Sequence, residues 1–238
     1  MSDIFKNITY FDRLDSSSDY LIELHKKLQI KTNLVIVVND QHKGRGRMGK
    51  GWFSNKESLT FSFSILLNSH IHSWHMNMVI GVALIRLLNN YSIQCHIKYP
   101  NDIIVKNKKI AGILTELIST KNQNCCIIGI GLNVNNELFP QNIPHAISMK
   151  NLISKKVNKN ILLKSLLEDI RFLINSKSVN KLYISNLYGF KSYIRCVYKG
   201  CEMFVKILNV NKNGFLTIVT KEQSIITVND IDIKFLIN

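Results

Sequence analysis

No apolar run in this chain is long enough to cross a bilayer, which takes about 20 residues. The longest, Met78 to Leu88, is short and interrupted by Arg86. The first residues, Met1 to Phe11, carry Asp3 and Lys6 and lack the apolar centre of a secretory signal. Both absences point to a cytoplasmic protein with no membrane partner. The five cysteines (Cys95, Cys125, Cys126, Cys196 and Cys201) have no metal-finger spacing. Two are adjacent in a predicted strand, where they would face opposite ways. They read as reduced and structural, as expected in a reducing compartment. His70, His72 and His75 cluster loosely at a strand-to-helix junction but match no zinc pattern, so no metal site is expected. Acidic residues are scarce: 16 Asp and Glu stand against 31 Lys and Arg, a formal net charge of +15. Such a balance can mark a nucleic-acid binder. Here the lysines are spread along the chain among many asparagines and isoleucines, which reads as compositional drift and not as specific DNA recognition.

What is present is concentrated. Residues 41 to 52 pack Gly44, Gly46, Gly49 and Gly51 around Lys43, Arg45, Arg47 and Lys50, between Gln41 and Trp52. Glycine lets the backbone turn tightly and approach a ligand. Interleaved cations neutralise an anion, and arginine grips phosphate or carboxylate with two parallel bonds. The spacing Gly44-x-Gly46-x-x-Gly49 also matches a dinucleotide fingerprint, which requires a strand before it and a helix after it. A β-branched run, Leu34 to Val38, does precede it. On its far side, Leu59, Phe61, Phe63 and Ile65 alternate with Thr60, Ser62 and Ser64, the period of a half-buried strand. A glycine loop between two strands excludes the dinucleotide reading. It leaves a phosphate cradle or a solvated basic hairpin.

Two further stretches stand out. Lys98-Tyr99-Pro100-Asn101-Asp102 leads into the strand Ile103 to Val105, and Asn107-Lys108 reads as a hairpin turn into a strand from about Ile110 to Ile118. This arrangement predicts Lys98, Asp102 and Lys109 in one pocket. Ile127 to Asn135 is an apolar strand bearing Gly129 and Gly131, where a backbone or ligand approaches closely. Around these, a helix is expected over Asp19 to Leu28, capped by Ser17 or Ser18, and another over Met76 to Asn90. A polar loop with Pro140 and Pro144 runs from Asn135 to Met149 and reads as a lid, mobile like the glycine loop until a ligand arrives. Further helices are expected near 148–152, 160–175 and 179–188. From about Ser192 the pattern turns to short strands, with Asn213-Gly214 as a hairpin signal.

Together these motifs resemble biotin protein ligase. The pattern Gly-Arg-Gly-Arg-x-Gly-Arg-x-Trp matches Gly44 to Trp52, with Lys50 for the last arginine. Lys-Trp-Pro-Asn-Asp matches Lys98 to Asp102, with Tyr99 for tryptophan. Lys-x-Ala-Gly-Ile-Leu-x-Glu matches Lys109 to Glu116, and Gly-x-Gly-x-Asn matches Gly129 to Asn133. Asp15-Ser16-Ser17-Ser18 stands where Asp-Ser-Thr-Asn is usual. The resemblance implies an α+β fold: a mixed sheet flanked by helices, the catalytic fold shared by biotin and lipoate ligases and related to class II synthetases. A small SH3-like β-barrel would come after it, with domains at 1–190 and 191–238. Only about fourteen residues precede Asp15, too few for the DNA-reading domain of bifunctional members.

The resemblance further implies an ATP-dependent ligase without a covalent cofactor. Biotin's carboxylate attacks the α-phosphate of ATP, with Mg2+ bridging phosphates. Biotinyl-5′-AMP then acylates a lysine on the biotin carboxyl carrier protein of acetyl-CoA carboxylase. Catalysis falls to Arg47, Lys109, Asp102 and Lys98, with Asp102 orienting Lys98 or the acceptor amine. Biotin falls to Ser16, Ser17, Ser18, Gln41, Arg45, Gly46, Arg47, Lys109 and Gly112. The nucleotide falls to Arg45, Lys50, Trp52, Asn101 and Asn133. The alternatives are a lipoate–protein ligase with the same adenylate chemistry, or a basic nucleic-acid-binding module. A homodimer is left open.

Overall fold

The computed structural model describes residues 5–28, 33–67, 72–119 and 124–237. The main sheet has seven strands: β1 (Ile8–Leu14), β2 (Val35–Gln41), β3 (Leu59–Leu66), β4 (His96–Lys98), β5 (Asp102–Val105), β6 (Lys108–Ser119) and β7 (Asn124–Leu132). Their order is β1-β2-β3-β7-β6-β5-β4, and every pair is antiparallel except β1 with β2. Strand β1 is not expected from the sequence pattern. It is an edge strand carrying Asp12 and Arg13, mostly exposed, so it shows no buried period for a pattern to reveal.

Alternation decides what each face of this sheet carries. Phe61, Phe63, Ile128 and Ile130 point to one face, covered by the helix α2 (Ser73–Asn89), with α4 (Lys159–Leu173) packed behind it. The opposite face carries Ile36, Val38, Cys125 and Ile127, covered by the helix α1 (Ser17–Leu28) through Leu21. The adjacent cysteines accordingly lie in different cores, Cys125 under α1 and Cys126 under α2. Burial pushes their thiols up to about 11 and about 12 respectively, so both stay protonated. All five cysteines are free. Further along, the α1 face of the sheet is uncovered, and there the large side chains stop: Gly129 and Gly131 succeed Ile127 on β7.

The short helices α3 (Met149–Ile153) and α5 (Val179–Ser185) complete the first layer. The second sheet is five-stranded and antiparallel, order β11-β10-β9-β8-β12. Its strands are β8 (Ile194–Tyr198), β9 (Cys201–Val210), β10 (Leu216–Thr220), β11 (Ile225–Val228) and β12 (Ile233–Phe235). It provides the small all-β unit expected at this end. The expected hairpin joins β9 to β10, with Gly214 at φ 89. One hydrophobic core nonetheless runs through both sheets, from Phe61 to Val205, Ile218 and Phe235. An aromatic cluster ties the seam: Trp74, Tyr99, Tyr183 and Phe235 meet edge to face or tilted, and the Tyr99 hydroxyl donates to the Gly214 carbonyl at 2.7 Å.

Two local expectations are corrected. The cap of α1 is Ser16, whose Oγ accepts the Asp19 N–H at 3.2 Å; Ser17 and Ser18 already lie inside the helix. The β5–β6 turn is Lys106-Asn107, at φ 46 and 62, one residue earlier than Asn107-Lys108. Both central residues of this turn type need positive φ, which asparagine tolerates well. Among the described residues no helix is long and apolar enough to span a membrane, and no group of three or more His, Cys, Asp or Glu forms a metal cage. Of the histidine cluster, His70 lies outside the described residues. His72 caps α2 without a side-chain bond, and His75 Nε2 contacts the Ile174 carbonyl at 2.7 Å.

Candidate active site

The uncovered part of the α1 face is the floor of a cavity of about 420 Å³. Its floor is flat because glycines meet across it: Gly112 of β6 is in register with Gly131 of β7. A methyl group on Gly131 would come within 2.1 Å of the Trp52 ring, and one on Gly112 within 3.1 Å of both Trp52 and Lys109. A methyl on Gly129 would meet Ser18 Oγ at 2.6 Å. The glycines that looked like sites of close approach are such sites, and the approaching groups are Trp52 and Ser18.

One end of the cavity is neutral and rich in hydroxyls. Ser17 Oγ donates to Gln41 Oε1 at 2.9 Å, Ser17 Oγ and Ser62 Oγ are 2.7 Å apart, and Ser18 Oγ and Ser62 Oγ 2.9 Å apart. The Ser17 N–H also donates to Gln41 Oε1, at 2.8 Å. Among the described residues, two buried polar atoms of this cavity, Trp52 Nε1 and Thr60 Oγ1, have no partner. Buried polar groups are normally satisfied, so these two leave hydrogen-bonding capacity open at this cavity.

The other end is cationic. Lys109 Nζ pairs with Asp102 at 2.7 Å and lies 5.2 Å from the centre of the Trp52 ring. Lys98 faces Asp102 across the β4–β5 ladder. Burial holds the Lys98 ammonium below its ordinary range, with Asp102 partly opposing. Lys50 and Lys234 also line this end. Lys109 reaches the cavity because the β5–β6 ladder slips: Ile103 pairs with Ala111 but Ile104 with Lys109, leaving Ile110 as an extra residue. Simple alternation would place Lys109 and Gly112 on opposite faces. The bulge re-aims the lysine, a common device beside active sites.

The glycine loop closes the cavity as a tight hairpin. Trp52 N–H donates to the Gly44 carbonyl at 2.8 Å, Gly46 N–H to the Lys50 carbonyl at 2.6 Å, and Arg45 bridges Gly51. Its tip is a single 3-10 turn, Arg47–Gly49, with Met48 at φ 55 and exposed. Gly44 is obligatory, since a Cβ would lie 2.5 Å from the Trp52 carbonyl oxygen. Arg47 is half-buried, and burial pulls its pKa down. It pairs with Asp230, from the β11–β12 turn of the second sheet. Ile233, Lys234 and Phe235 of that sheet complete the wall.

The structure thus brings Ser16, Ser17, Ser18, Gln41, Arg45, Gly46, Arg47, Lys50, Trp52, Lys98, Asn101, Asp102, Lys109 and Gly112 around one cavity. Asn133 stands apart, in an adjoining cavity of about 290 Å³ with Phe53, Phe139, Pro144 and His145, and shares Trp52 and Lys109 with the first. Its side-chain amide donates to the Ile147 carbonyl at 3.0 Å. The segment Asn135 to Met149 forms one side of that cavity and is anchored: Lys109 N–H donates to the His145 carbonyl, and Ile147 N–H to the Lys109 carbonyl, at 2.7 and 3.0 Å. Sequence reasoning passed over Ser62, Thr60, Asp230 and Phe235. The alternation in β3 had marked Ser62 and Thr60 as the polar side of a strand. Nothing local signals Asp230 or Phe235, which arrive by tertiary folding.

The Biotin/lipoate A/B protein ligase family pattern matches residues 10–133. The chain belongs to this family. It is 31% identical to the bifunctional ligase/repressor BirA of Bacillus subtilis over 162 residues, 65% of this chain and 49% of that protein. It is 26% identical to the biotin–[acetyl-CoA-carboxylase] ligase of Mycobacterium tuberculosis over 145 residues, 58% of this chain and 52% of that one. The chain spans about half the length of the curated relatives it matches. Among solved structures, the biotin protein ligase from Aquifex aeolicus in complex with biotin and ATP superposes with a TM-score of 0.82. There the identity is 24%, with 98% of this chain and 100% of that chain covered. The biotin acetyl coenzyme A carboxylase synthetase from Helicobacter pylori gives 0.68 at 21% identity, over 93% and 99%. These likenesses establish the fold, both sheets included.

Proposed function

We propose that this chain activates biotin with ATP and transfers it to a lysine of a biotin carboxyl carrier protein. The observation that carries the reading is the polarity of the cavity: a neutral hydroxyl and amide wall at one end, a cluster of cations at the other. Biotin has that polarity, with an uncharged ureido ring at one end and a carboxylate at the other. Ser17, Ser18, Ser62 and Gln41, with the unpartnered Thr60 hydroxyl, suit the ureido group. A lipoyl dithiolane offers such a wall no hydrogen bonds, and leaving buried polar groups unpaired is costly.

In the first step a biotin carboxylate oxygen bonds to the α-phosphorus of ATP, the bond to the β-phosphate oxygen breaks, and pyrophosphate leaves. Two anions have to meet, so alignment and charge neutralisation dominate. Arg47 and Lys109 neutralise the reacting carboxylate and α-phosphate, and Lys50 and Lys98 the departing phosphates. The adjoining cavity, with Trp52, Phe53, Asn133 and Phe139, suits the nucleotide. Magnesium fits as an ion carried by the nucleotide, because Asp102 and Asp230 already pair with cations. In the second step the carrier's amine attacks the acyl carbon, the amide forms, AMP leaves, and the amine's proton passes to solvent or to Asp102. We take 1–190 as the catalytic domain, its cavity closed by the 191–238 unit, in a soluble cytoplasmic setting and with no specific DNA partner. The test is ATP–pyrophosphate exchange with biotin, with lipoate and with neither. Exchange only with biotin is expected; exchange with lipoate alone would move the chain to the sister activity. Salt-sensitive nucleic-acid binding without any exchange would favour the basic-module alternative.

A further inference from the structure

The two arginines of the glycine loop are held in different ways. Arg47 lines the cavity and pairs across to the second sheet. Arg45 is taken up by its own layer. Its Nη1 and Nη2 donate in parallel to Glu116 Oε1 and Oε2 at 3.0 and 2.8 Å. Its Nε donates to Asp19 Oδ2 at 3.0 Å, and Nη2 lies 2.6 Å from Asp19 Oδ1. Of the five N–H bonds of a guanidinium, three are thus donated to two carboxylates, and the close ion contact to Asp19 adds to them.

The position of these partners gives the contacts their meaning. Asp19 directly succeeds Ser18 in the first turn of α1, the helix that carries the hydroxyl wall. Glu116 lies on β6, the strand that carries Lys109 and Gly112. One guanidinium therefore joins α1, the glycine loop and β6. The group of three carries a net charge of −1, so an incoming carboxylate or phosphate is repelled from Arg45 and directed to Arg47 and Lys109. Burial lowers the Arg45 pKa, but Glu116 and Asp19 raise it by more, so the charge is fixed.

We propose that Arg45 is a positioning residue: with Asp19 and Glu116 its guanidinium clamps the glycine loop to α1 and β6 and sets the neutral end of the cavity, instead of gripping the ligand itself. The proposal rests on the reading of the cavity as a biotin site. The experiment uses the full chain as wild type, Glu116→Gln, Arg45→Gln and the double variant. It measures biotin affinity by calorimetry, biotin-dependent exchange, melting temperature, and hydrogen exchange of the 44–51 amides without ligand. Each single change is expected to weaken biotin binding and raise its KM roughly tenfold, with kcat within about threefold and the melting temperature near wild type. The double variant is expected to be no worse than either single one, since both break one unit. The loop amides exchange faster in all three variants.

A direct ligand contact predicts the reverse pattern. Freeing Arg45 by Glu116→Gln would then leave biotin binding unchanged or tighter, while Arg45→Gln alone would weaken it. That pattern, or additive losses, overturns the proposal. So does a fall in melting temperature and active fraction with KM unchanged, which marks a purely structural ion pair. If wild type shows no biotin-dependent exchange, the functional reading fails. The clamp is then decided by hydrogen exchange alone: faster loop amides in the variants uphold it, unchanged protection removes it.

Discussion

The two faces of the seven-stranded sheet are built from alternate residues of the same strands, yet they do opposite work. Toward α2 stand Phe61, Phe63, Ile128 and Ile130, fully or almost fully buried. Toward the cavity stand Thr60, Ser62, Gly129 and Gly131. The first face supplies apolar burial, roughly 25 cal/mol for each Å² removed from water. The second does so only under α1, through Ile36, Val38 and Ile127; its cavity stretch supplies almost none and offers space and hydroxyls instead. A binding floor is tolerated in mid-sheet because the residues on either side of each floor position carry the packing. Stability and ligand recognition are thereby separated at a spacing of one residue.

The largest expected effect breaks the stabilising face. Phe61→Ala should cost about 3–5 kcal/mol of unfolding free energy, typical of emptying a packed aromatic site. Its neighbour Ser62→Ala should cost about 1 kcal/mol or less while weakening biotin binding severalfold. Urea denaturation and calorimetry on the pair check the contrast; similar stability losses would mean the faces are not separate. Next comes the bulge. Lys109→Ala should slow adenylate formation roughly a hundredfold, about 2.7 kcal/mol of transition-state stabilisation. Lys108→Ala, on the exposed side, should stay within about threefold, both with the wild-type circular dichroism spectrum. Single-turnover assays with equal effects would refute the placement of Lys109.

A milder change is Gly131→Ala. The added methyl collides with Trp52, so the ring must move off the floor. Biotin affinity should fall about tenfold, with a melting temperature close to wild type; unchanged affinity would show that Trp52 has no part in the site. The smallest effect concerns the covered end of the cavity face, where His25 of α1 is buried beside Cys125. Burial lowers the His25 pKa from its ordinary 6.5. The unfolded chain therefore takes up a proton that the folded chain refuses. This contribution is fully present above pH 6.5 and is lost as pH falls below it. Urea midpoints at pH 7 and pH 5 should drop modestly with acid in wild type and less in His25→Phe; parallel curves would exclude His25 as the source.

Much of this was legible beforehand. Period-two alternation announced β3, a continuous apolar run announced β7, and the glycines announced where something comes close. Lys98, Asp102 and Lys109 were grouped from the hairpin reading, and the resemblance added Arg47 and Lys50 to them. Pure alternation would have put Lys109 on the wrong face, because a bulge leaves no local mark in Lys-Lys-Ile-Ala. Edge strand β1 escaped because an exposed strand has no burial period. The expectation of a slack glycine loop met a closed hairpin held at Arg45 and Arg47 by acids from distant segments. Long-range ion pairs such as Arg47 with Asp230 connect positions that no window of sequence sees together.

That last pairing spans 183 positions along the chain. While the protein is being made, the glycine loop emerges well before the turn carrying Asp230 and the strand carrying Phe235. Domains fold from the N-terminus as synthesis proceeds, at roughly 5–20 residues per second. The main sheet is therefore free to form while its cavity still lacks a wall and Arg47 still lacks its counter-ion. The cavity is thus a joint property of both sheets, and a growing chain acquires it only once the segment around Asp230 and Phe235 has emerged and packed.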